Sequence, residues 1–235
     1  MINKDSYRYS SRGILRIDLA ALRENYRIIK RRAPKAAVAA VVKANAYGLG
    51  AAPVARALIQ EGCGAFFVAS IDEAMALRED FADIDIMILN GFYASAAPLY
   101  EQYNLTPVLG SFSEIKGYQA LARSCGKNLP AFLHFNSRMN RLGLGSIEAQ
   151  ELFSHMDMLA GLNIKCVMSH FACADEADHE LNEVQFTVFS DLASHFPDAQ
   201  KSLCNSSGAF LGDKYHFDLV RAGMAIYGLN PTPDA

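Results

Sequence analysis

Short apolar runs recur eight times along the 235-residue chain, and segments with a helical pattern separate most of them. The runs span residues 38–43, 65–69, 84–89, 106–109, 131–135, 164–169, 201–204 and 219–221. Runs that are apolar throughout are typical of parallel strands buried on both faces, and their alternation with helices indicates βαβ units. Eight such units predict an α/β fold, a closed (β/α)8 TIM-type barrel, for which about 250 residues is a usual length.

The segments around these runs predict six helices. They span residues 19–32, 51–61, 72–80, 94–102, 113–124 and 179–195, and Asp18 is expected to cap the first. Residues 14–19 alternate apolar and polar side chains, which suggests a weak strand. A doubly wound open sheet is the alternative fold, but no G-x-G-x-x-G motif follows the first strand.

The charge balance and the cysteines exclude several classes of protein. A net charge of -3 gives no electrostatic footprint for nucleic acid or an anionic membrane. The five cysteines are scattered and include no C-x-x-C pair, which argues against a disulfide framework or a zinc site. The first 16 residues are polar and basic, and no stretch approaches the ~18 apolar residues of a membrane span. We therefore expect a cytoplasmic protein without nucleic-acid or membrane partners.

Lys43 stands at the end of the first predicted strand, and a turn with Asn45, Tyr47, Gly48 and Gly50 follows it. A lysine at the mouth of a buried strand lies in a low-dielectric setting that favours the uncharged, nucleophilic amine. The turn offers a hydroxyl and closely approaching backbone to an anion. This combination suits a Schiff-base lysine that holds an aldehyde cofactor with a phosphate. The alternative is an ordinary strand-end lysine that reaches solvent.

Polar residues follow most of the predicted strands. In a (β/α)8 barrel, the carboxyl ends of the strands meet at one face, and that face carries the active site. The residues at these ends are Lys43, Ser70, Asn90, Gly110, Asn136, His170, Asn205 and Arg221. A polar site is therefore expected there. For Asn205, with Ser206 and Ser207 beside it, the alternative role is to cap a short helix over residues 208–211.

Five sequence blocks stand in a fixed order along the chain: VVKANAYG at 41–48, MNRLG at 139–143, SHFACADE at 169–176, NSS at 205–207 and VRAGMAIYGL at 220–229. Together they resemble bacterial alanine racemase over residues 17–231. The resemblance implies the family's N-terminal (β/α)8 barrel, which binds pyridoxal 5′-phosphate (PLP). It also implies an isomerase that interconverts L-alanine and D-alanine, in a pathway that supplies D-alanine for peptidoglycan.

The resemblance carries nine residues over to the cofactor site. They are Lys43, Tyr47, Arg141, His170, Asn205, Ser206, Arg221, Gly223 and Met224. Lys43 is expected to anchor the cofactor and to serve as one of two catalytic bases. The phosphate is expected to bind the hydroxyls of Tyr47 and Ser206 and the backbone N–H groups of Gly223 and Met224. A packed core tyrosine and a simple turn glycine are the structural alternatives for Tyr47 and Gly223.

Arg221 resembles the family's partner for the pyridine nitrogen of PLP. Arginine stays charged and offers no proton acceptor, so it leaves that nitrogen unprotonated. The cofactor is then a weaker electron sink, which favours proton return over transamination. His170 is expected to hydrogen-bond Arg221 and fix its orientation, with a purely structural histidine as the alternative. With Lys43 and Arg141, these two residues complete the implied catalytic set.

Arg141 resembles the arginine that contacts the cofactor's phenolic oxygen and the substrate carboxylate. The sequence departs from the family pattern around it. His134 stands where many relatives carry a carbamylated lysine, Asn136 where aspartate is usual, and Arg138 where glycine is usual. Leu49 similarly replaces a histidine. Arg141 therefore needs another support, either a bound anion or His134 itself.

The sequence ends at Ala235, shortly after the eighth predicted strand. In the family, a β-rich C-terminal domain follows and supplies a tyrosine as the second base across a homodimer interface. The resemblance therefore implies the barrel domain alone over residues 1–235, with racemisation impaired, apolar surface exposed where that domain docks, and the oligomeric state open. The alternatives are a non-catalytic PLP-homeostasis protein and a metal-dependent barrel hydrolase, although the six histidines form no metal-binding set.

Overall fold

Eight parallel strands form a nearly closed barrel in the computed structural model, which describes residues 15–233. The strands are β1 (Ala37–Val41), β2 (Ala65–Val68), β3 (Asp85–Ile88), β4 (Thr106–Leu109), β5 (Leu129–His134), β6 (Leu162–Met168), β7 (Gln200–Ser202) and β8 (Leu219–Ala222). From β1 to β7 each strand pairs with the next, and β1 also pairs with β8. The predicted (β/α)8 barrel is therefore confirmed, and the open-sheet alternative is wrong.

The barrel closes between β7 and β8 through single hydrogen bonds rather than a continuous ladder. The backbone N–H of Asp218 donates to the carbonyl of Lys201 at 3.0 Å. The backbone N–H of Arg221 donates to the carbonyl of Cys204 at the same distance. The closed ring leaves no free sheet edge. Because all paired strands are parallel, their carboxyl ends face one mouth of the barrel.

Apolar side chains fill both sides of the strands. The interior of the barrel is packed by Ala39, Val41, Phe67, Met87, Val108, Phe132, Cys166, Met168 and Leu219. Phe67 and Phe132 meet there edge to face, with ring centroids 5.8 Å apart. Intervening strand residues point outward and pack against the helices in a second, larger cluster. Burial on both faces explains why most strand segments are apolar rather than alternating, whereas β7 is polar and only its last residue, Ser202, is buried.

Helices surround the barrel on its outer side. In the described part of the chain they are α1 (Leu19–Arg32), the short turn α2 (Lys43–Tyr47), α3 (Ala51–Ile59), α4 (Ile71–Asp80), α5 (Ala97–Gln102), α6 (Phe112–Cys125), α7 (Ser146–Ser154), α8 (Leu181–Ser194) and α9 (Gly208–Leu211). The Asp18 carboxylate caps α1 as predicted, accepting from the N–H groups of Ala20 and Ala21 at 2.9 and 3.0 Å. Within residues 15–233, no helix combines the length and apolar character needed to cross a bilayer.

Two segments differ from the sequence prediction. Residues 15–18 form no strand, because Asp18 turns the backbone directly into α1, and residue 14 lies outside the described residues. Helix α7 is not predicted by the apolar pattern, because Ala149 and Leu152 are its only buried positions. Its start is fixed by Glu148, whose carboxylate accepts from the Gly145 N–H at 2.8 Å.

Phe67→Ala tests the packing inside the barrel. The side chain is fully buried against Phe132, so we expect its removal to lower the free energy of unfolding by about 3–5 kcal/mol. Urea denaturation measures the change. The control is Ile147→Ala, at a residue 80% exposed on α7, with an expected change within about 0.5 kcal/mol. Equal losses in the two variants would contradict a packed interior.

Candidate active site

A cavity of about 410 Å³ opens at the carboxyl ends of the strands, and we name it the strand-end cavity. All nine residues assigned to the cofactor by resemblance line it: Lys43, Tyr47, Arg141, His170, Asn205, Ser206, Arg221, Gly223 and Met224. Asn90 and His134 line it too, whereas Ser70, Gly110 and Asn136 do not. Larger hollows lie at the opposite end of the barrel and between α7 and α8, away from Lys43.

Lys43 is followed by a left-handed turn formed by residues 44–47. Strand β1 ends at Val41, and the φ angles of the four turn residues lie between 52° and 55°. L-residues with side chains adopt this conformation at a cost of roughly 1–2 kcal/mol each. Four in succession therefore need external support. Because the left-handed turn reverses the chain direction, Lys43 and Tyr47 both lie at the wall of the strand-end cavity.

Two side-chain hydrogen bonds hold the left-handed turn against neighbouring elements. The Asn45 amide oxygen accepts from the N–H of Ala51, the first residue of α3, at 2.8 Å. The Glu73 carboxylate accepts from the N–H of Ala44 at 2.6 Å. Sequence reasoning missed Glu73 as part of the site, although its position three residues after Ser70 is the spacing of a helix capping box.

Tyr47 lies across Gly223 at one end of the cavity. Its ring packs against that of Tyr227 at a centroid distance of 4.6 Å. A Cβ on Gly223 would stand 2.6 Å from the Tyr47 hydroxyl, while the Gly223 φ of -123° is open to any residue. Close approach therefore requires this glycine, and Tyr47, at 39% exposure, is not a packed core tyrosine. Partial burial raises the pKa of Tyr47, so its hydroxyl keeps its proton.

Ser206 organises the backbone beside Tyr47. Its hydroxyl oxygen accepts from the N–H of Gly223 at 2.9 Å and from the N–H of Ala225 at 3.2 Å. The Gly223 N–H, expected to face a phosphate, is thus bound to Ser206 in the structure. Within residues 15–233 the Met224 N–H has no such partner, and the Ser206 proton is left to donate.

Arg221 is buried, with 3% of its surface exposed, and its guanidinium joins three strand ends. Nη1 donates to the Ser202 carbonyl at 3.0 Å and to the Ser202 hydroxyl at 2.5 Å. Nη2 donates to the Ser169 carbonyl at 2.5 Å and to Nδ1 of His170 at 3.2 Å. Burial lowers the pKa of Arg221 to about 10, which still leaves it charged at neutral pH.

His170 and His134 are neutral at physiological pH. Because a guanidinium only donates, Nδ1 of His170 must accept from Arg221. Burial, and then the charges of Arg221 and Arg141, hold the pKa of His170 well below its usual value near 6.5. The same causes lower the pKa of His134 to about 3. Neither imidazole adds positive charge to the cavity under these conditions.

The Asn205 side chain contacts both a helix start and the cavity wall, and its amide nitrogen also lies 3.5 Å from the Phe171 carbonyl. Its amide oxygen accepts from the N–H of Gly208 at 2.9 Å and so caps α9, as the structural alternative for this residue predicts. Its amide nitrogen also lies 3.5 Å from Nε2 of His170, at the cavity wall.

Arg141 lies exposed at the rim, on the loop between β5 and α7. In the described part of the chain no protein group hydrogen-bonds its guanidinium, so His134 does not support it that way. The loop is tied by Asn136, whose amide donates to Oδ1 of Asn140 and accepts from the Asn140 N–H, both at 2.9 Å.

The strand-end cavity is cationic. Lys43, Arg141 and Arg221 line it, and no aspartate or glutamate of the described residues does. The same residues include no group of three or more His, Cys, Asp or Glu side chains arranged for a metal ion. The cavity therefore suits an anionic organic ligand, with an amine in reach for covalent chemistry.

Comparison with known proteins identifies relatives over nearly the whole chain. The family description "Alanine racemase, N-terminal domain" matches residues 17–231. Alanine racemase of Rickettsia prowazekii is 45% identical over 217 residues, which cover 92% of this chain and 54% of that protein. The catabolic alanine racemase of Mesorhizobium japonicum is 47% identical over 222 residues, which cover 94% and 58%. The chain thus spans a little over half the length of these relatives.

Solved structures show the same fold. Alanine racemase from Bartonella henselae, crystallised with covalently bound pyridoxal phosphate, gives a TM-score of 0.88 at 39% identity and covers 92% of this chain and 60% of that one. The biosynthetic enzyme from Pseudomonas aeruginosa gives 0.85 at 35% identity and covers 93% and 60%. The sequence match and the shared barrel together show that this chain belongs to the alanine racemase family, in the region of its N-terminal domain.

Proposed function

We propose that this chain is the PLP-binding barrel of an alanine racemase, in which Lys43 holds the cofactor and acts as one of two bases. The observation that carries the proposal is the meeting of Lys43, Tyr47, Ser206 and Arg221 in one cavity, which no acidic side chain from the described part of the chain lines. Family membership supports it, as does the pyridoxal phosphate bound to the Bartonella henselae relative.

The residues present fit PLP. The Tyr47 and Ser206 hydroxyls and the Met224 N–H form a cluster of neutral donors for the phosphate. Gly223 leaves this end open, where a Cβ would meet the Tyr47 hydroxyl. Arg221, charged and held by four hydrogen bonds, is the partner for the pyridine nitrogen. When bound, PLP supplies the electron withdrawal that makes the substrate Cα–H acidic.

Lys43 performs two tasks in this mechanism. Its amine would hold the aldehyde of PLP when the cofactor is bound. A Lys43 amine not engaged in this way would accept or return the substrate Cα proton on its own face. Arg221 would give no proton to the ring nitrogen, because arginine keeps its proton at neutral pH, and its neutral partner His170 leaves its charge in place. This directs the proton back to Cα.

Inversion at Cα needs a second base on the opposite face of the substrate. We propose that a tyrosine outside residues 1–235 provides it, in a segment that covers the cavity mouth in a homodimer. Leu142, Met224 and Leu229 are exposed at this mouth, as a docking surface requires. Residues 1–235 alone are accordingly expected to racemise alanine slowly. Alanine as substrate, D-alanine supply for peptidoglycan and a cytoplasmic location belong to the same proposal.

Reductive trapping tests the proposed function. We expect PLP followed by borohydride to place one phosphopyridoxyl group on Lys43, located by peptide mass spectrometry. Lys43→Arg should abolish this label, because a guanidinium does not form the linkage. The matched control is Lys35→Arg, at an exposed lysine before β1, which should leave it intact. Label spread over surface lysines in all three proteins would contradict the proposal.

Gly223→Ala tests the phosphate end. The added Cβ displaces the Tyr47 hydroxyl, so PLP affinity should fall by about tenfold or more, as for one lost hydrogen bond to a charged group. Affinity for pyridoxal, which lacks the phosphate, should barely change. Absorbance titration measures both. Gly64→Ala is the control, because a Cβ at Gly64 meets no atom within 4 Å. An equal loss for both ligands would place the phosphate elsewhere.

His134→Asn tests the neutral state of this imidazole through stability. The unfolded chain binds a proton here below pH 6.5, whereas the folded chain does so only near pH 3, so acid favours unfolding between these values. The variant should flatten this pH dependence by up to about 1.4 kcal/mol per pH unit. Urea denaturation across the range measures the slope, with His155→Asn at an exposed histidine as control. An unchanged slope would mean that His134 titrates normally.

A further inference from the structure

The Glu73 carboxylate joins two neighbouring strand ends. Oε1 accepts from the N–H of Ala44, directly after Lys43, at 2.6 Å. Oε2 accepts from the N–H of Ala69, directly after β2, at 2.8 Å. The Glu73 N–H itself contacts the Ser70 hydroxyl at 3.4 Å, as the start of α4 requires. One side chain therefore ties the peptide after Lys43 to β2 and α4.

Capping α4 does not require Glu73 to bond a residue at another strand end. Glu114 occupies the same place in α6, three residues after Ser111. Its carboxylate accepts from the Gly110 N–H at 2.7 Å and from the Ser111 hydroxyl at 3.1 Å. Both partners lie immediately before α6, whereas the Ala44 partner of Glu73 lies 29 residues away in sequence. The bond to Ala44 is thus additional to capping.

The Ala44 bond acts where the backbone is strained. Ala44 is the first residue of the left-handed turn, with a φ of 52°. Strained conformations persist only when surrounding contacts determine them, and a hydrogen bond to a carboxylate is stronger than one between neutral groups. The bonded N–H belongs to the peptide that joins Lys43 to Ala44. Its orientation therefore sets the direction in which the Lys43 side chain leaves the backbone.

We infer that Glu73 is a positioning residue that holds the left-handed turn so that the Lys43 amine faces the strand-end cavity. Glu73 does not line this cavity, so it acts through Lys43 and not on a ligand. The inference rests on the proposed role of Lys43 as the attachment point of the cofactor.

Glu73→Gln tests the inference, with Glu114→Gln as the matched control. The N–H groups of Ala44 and Ala69 bond different oxygens of Glu73, and glutamine replaces one of these oxygens with an NH2 group, so one of the two bonds is lost. We expect Glu73→Gln to slow phosphopyridoxyl incorporation at Lys43 by about tenfold or more, as expected for losing a hydrogen bond to a charged group. In the same variant, the hydrogen-exchange rate of the Ala44 amide should rise. Glu114→Gln should change neither rate more than about twofold, while both variants lower the melting temperature through weaker caps.

The outcomes separate this inference from the proposed function. Absence of label at Lys43 in the unmodified chain would refute the proposed function. Label in the unmodified chain, with equal rates in Glu73→Gln and Glu114→Gln, would overturn the role of Glu73 alone. If Glu73→Gln does not fold, the hydrogen-exchange rate of the Ala44 amide in the unmodified chain tests the role of Glu73 instead. Protection of the Ala44 amide comparable with that of Ala46, which is bonded to the Val42 carbonyl, supports the inference, and exchange as fast as in an exposed loop overturns it.

Discussion

A buried arginine that pairs with no carboxylate of residues 15–233 governs the electrostatics of the barrel mouth. A charge removed from water must find hydrogen-bond partners, and Arg221 finds them in two carbonyls, a hydroxyl and an imidazole. These groups solvate the guanidinium without cancelling its charge. Burial, and then the positive potential that remains, keeps His170 and His134 neutral, and the same potential makes the cavity attractive to anions. The strand ends of β6, β7 and β8 are tied to the same side chain, so its removal would disturb the scaffold together with the charge.

Closure of the barrel makes the site possible. Lys43 and Gly223 lie 180 residues apart, yet β1 and β8 pair side by side, with Ala40 opposite Ala222. This pairing places the left-handed turn next to the Ser206–Gly223 backbone, and Tyr47 crosses the gap. A chain with the same local turns but an open sheet would separate the Lys43 amine from the Ser206–Gly223 backbone. The chemistry therefore depends on long-range strand pairing, whereas the individual parts depend on local sequence.

Much of this arrangement is predictable from sequence, and the failures have physical causes. Apolar runs reveal most of the strands because both faces of those strands are buried, and Asp18 marks the start of α1 by its capping chemistry. The handedness of residues 44–47 is not predictable, because Glu73, far away in sequence, stabilises it against local preference. The bond from Gly223 to Ser206 likewise depends on how β8 lies against the loop after β7. Helix α7 escapes detection because so little of it is buried.

The two arginines of the strand-end cavity, Arg221 and Arg141, differ in conformational freedom. Arg221 is immobilised by the fold before any ligand arrives, so its ordering entropy is part of folding. Arg141 has no hydrogen-bond partner among the described residues and lies exposed, which leaves its rotamers open. A ligand carboxylate that engages Arg141 must then order it, at about 0.5–1.5 kcal/mol per immobilised side chain. The site thus divides into a rigid floor and an adaptable rim, and a ligand held by the rim bears an ordering cost that a ligand held by the floor does not.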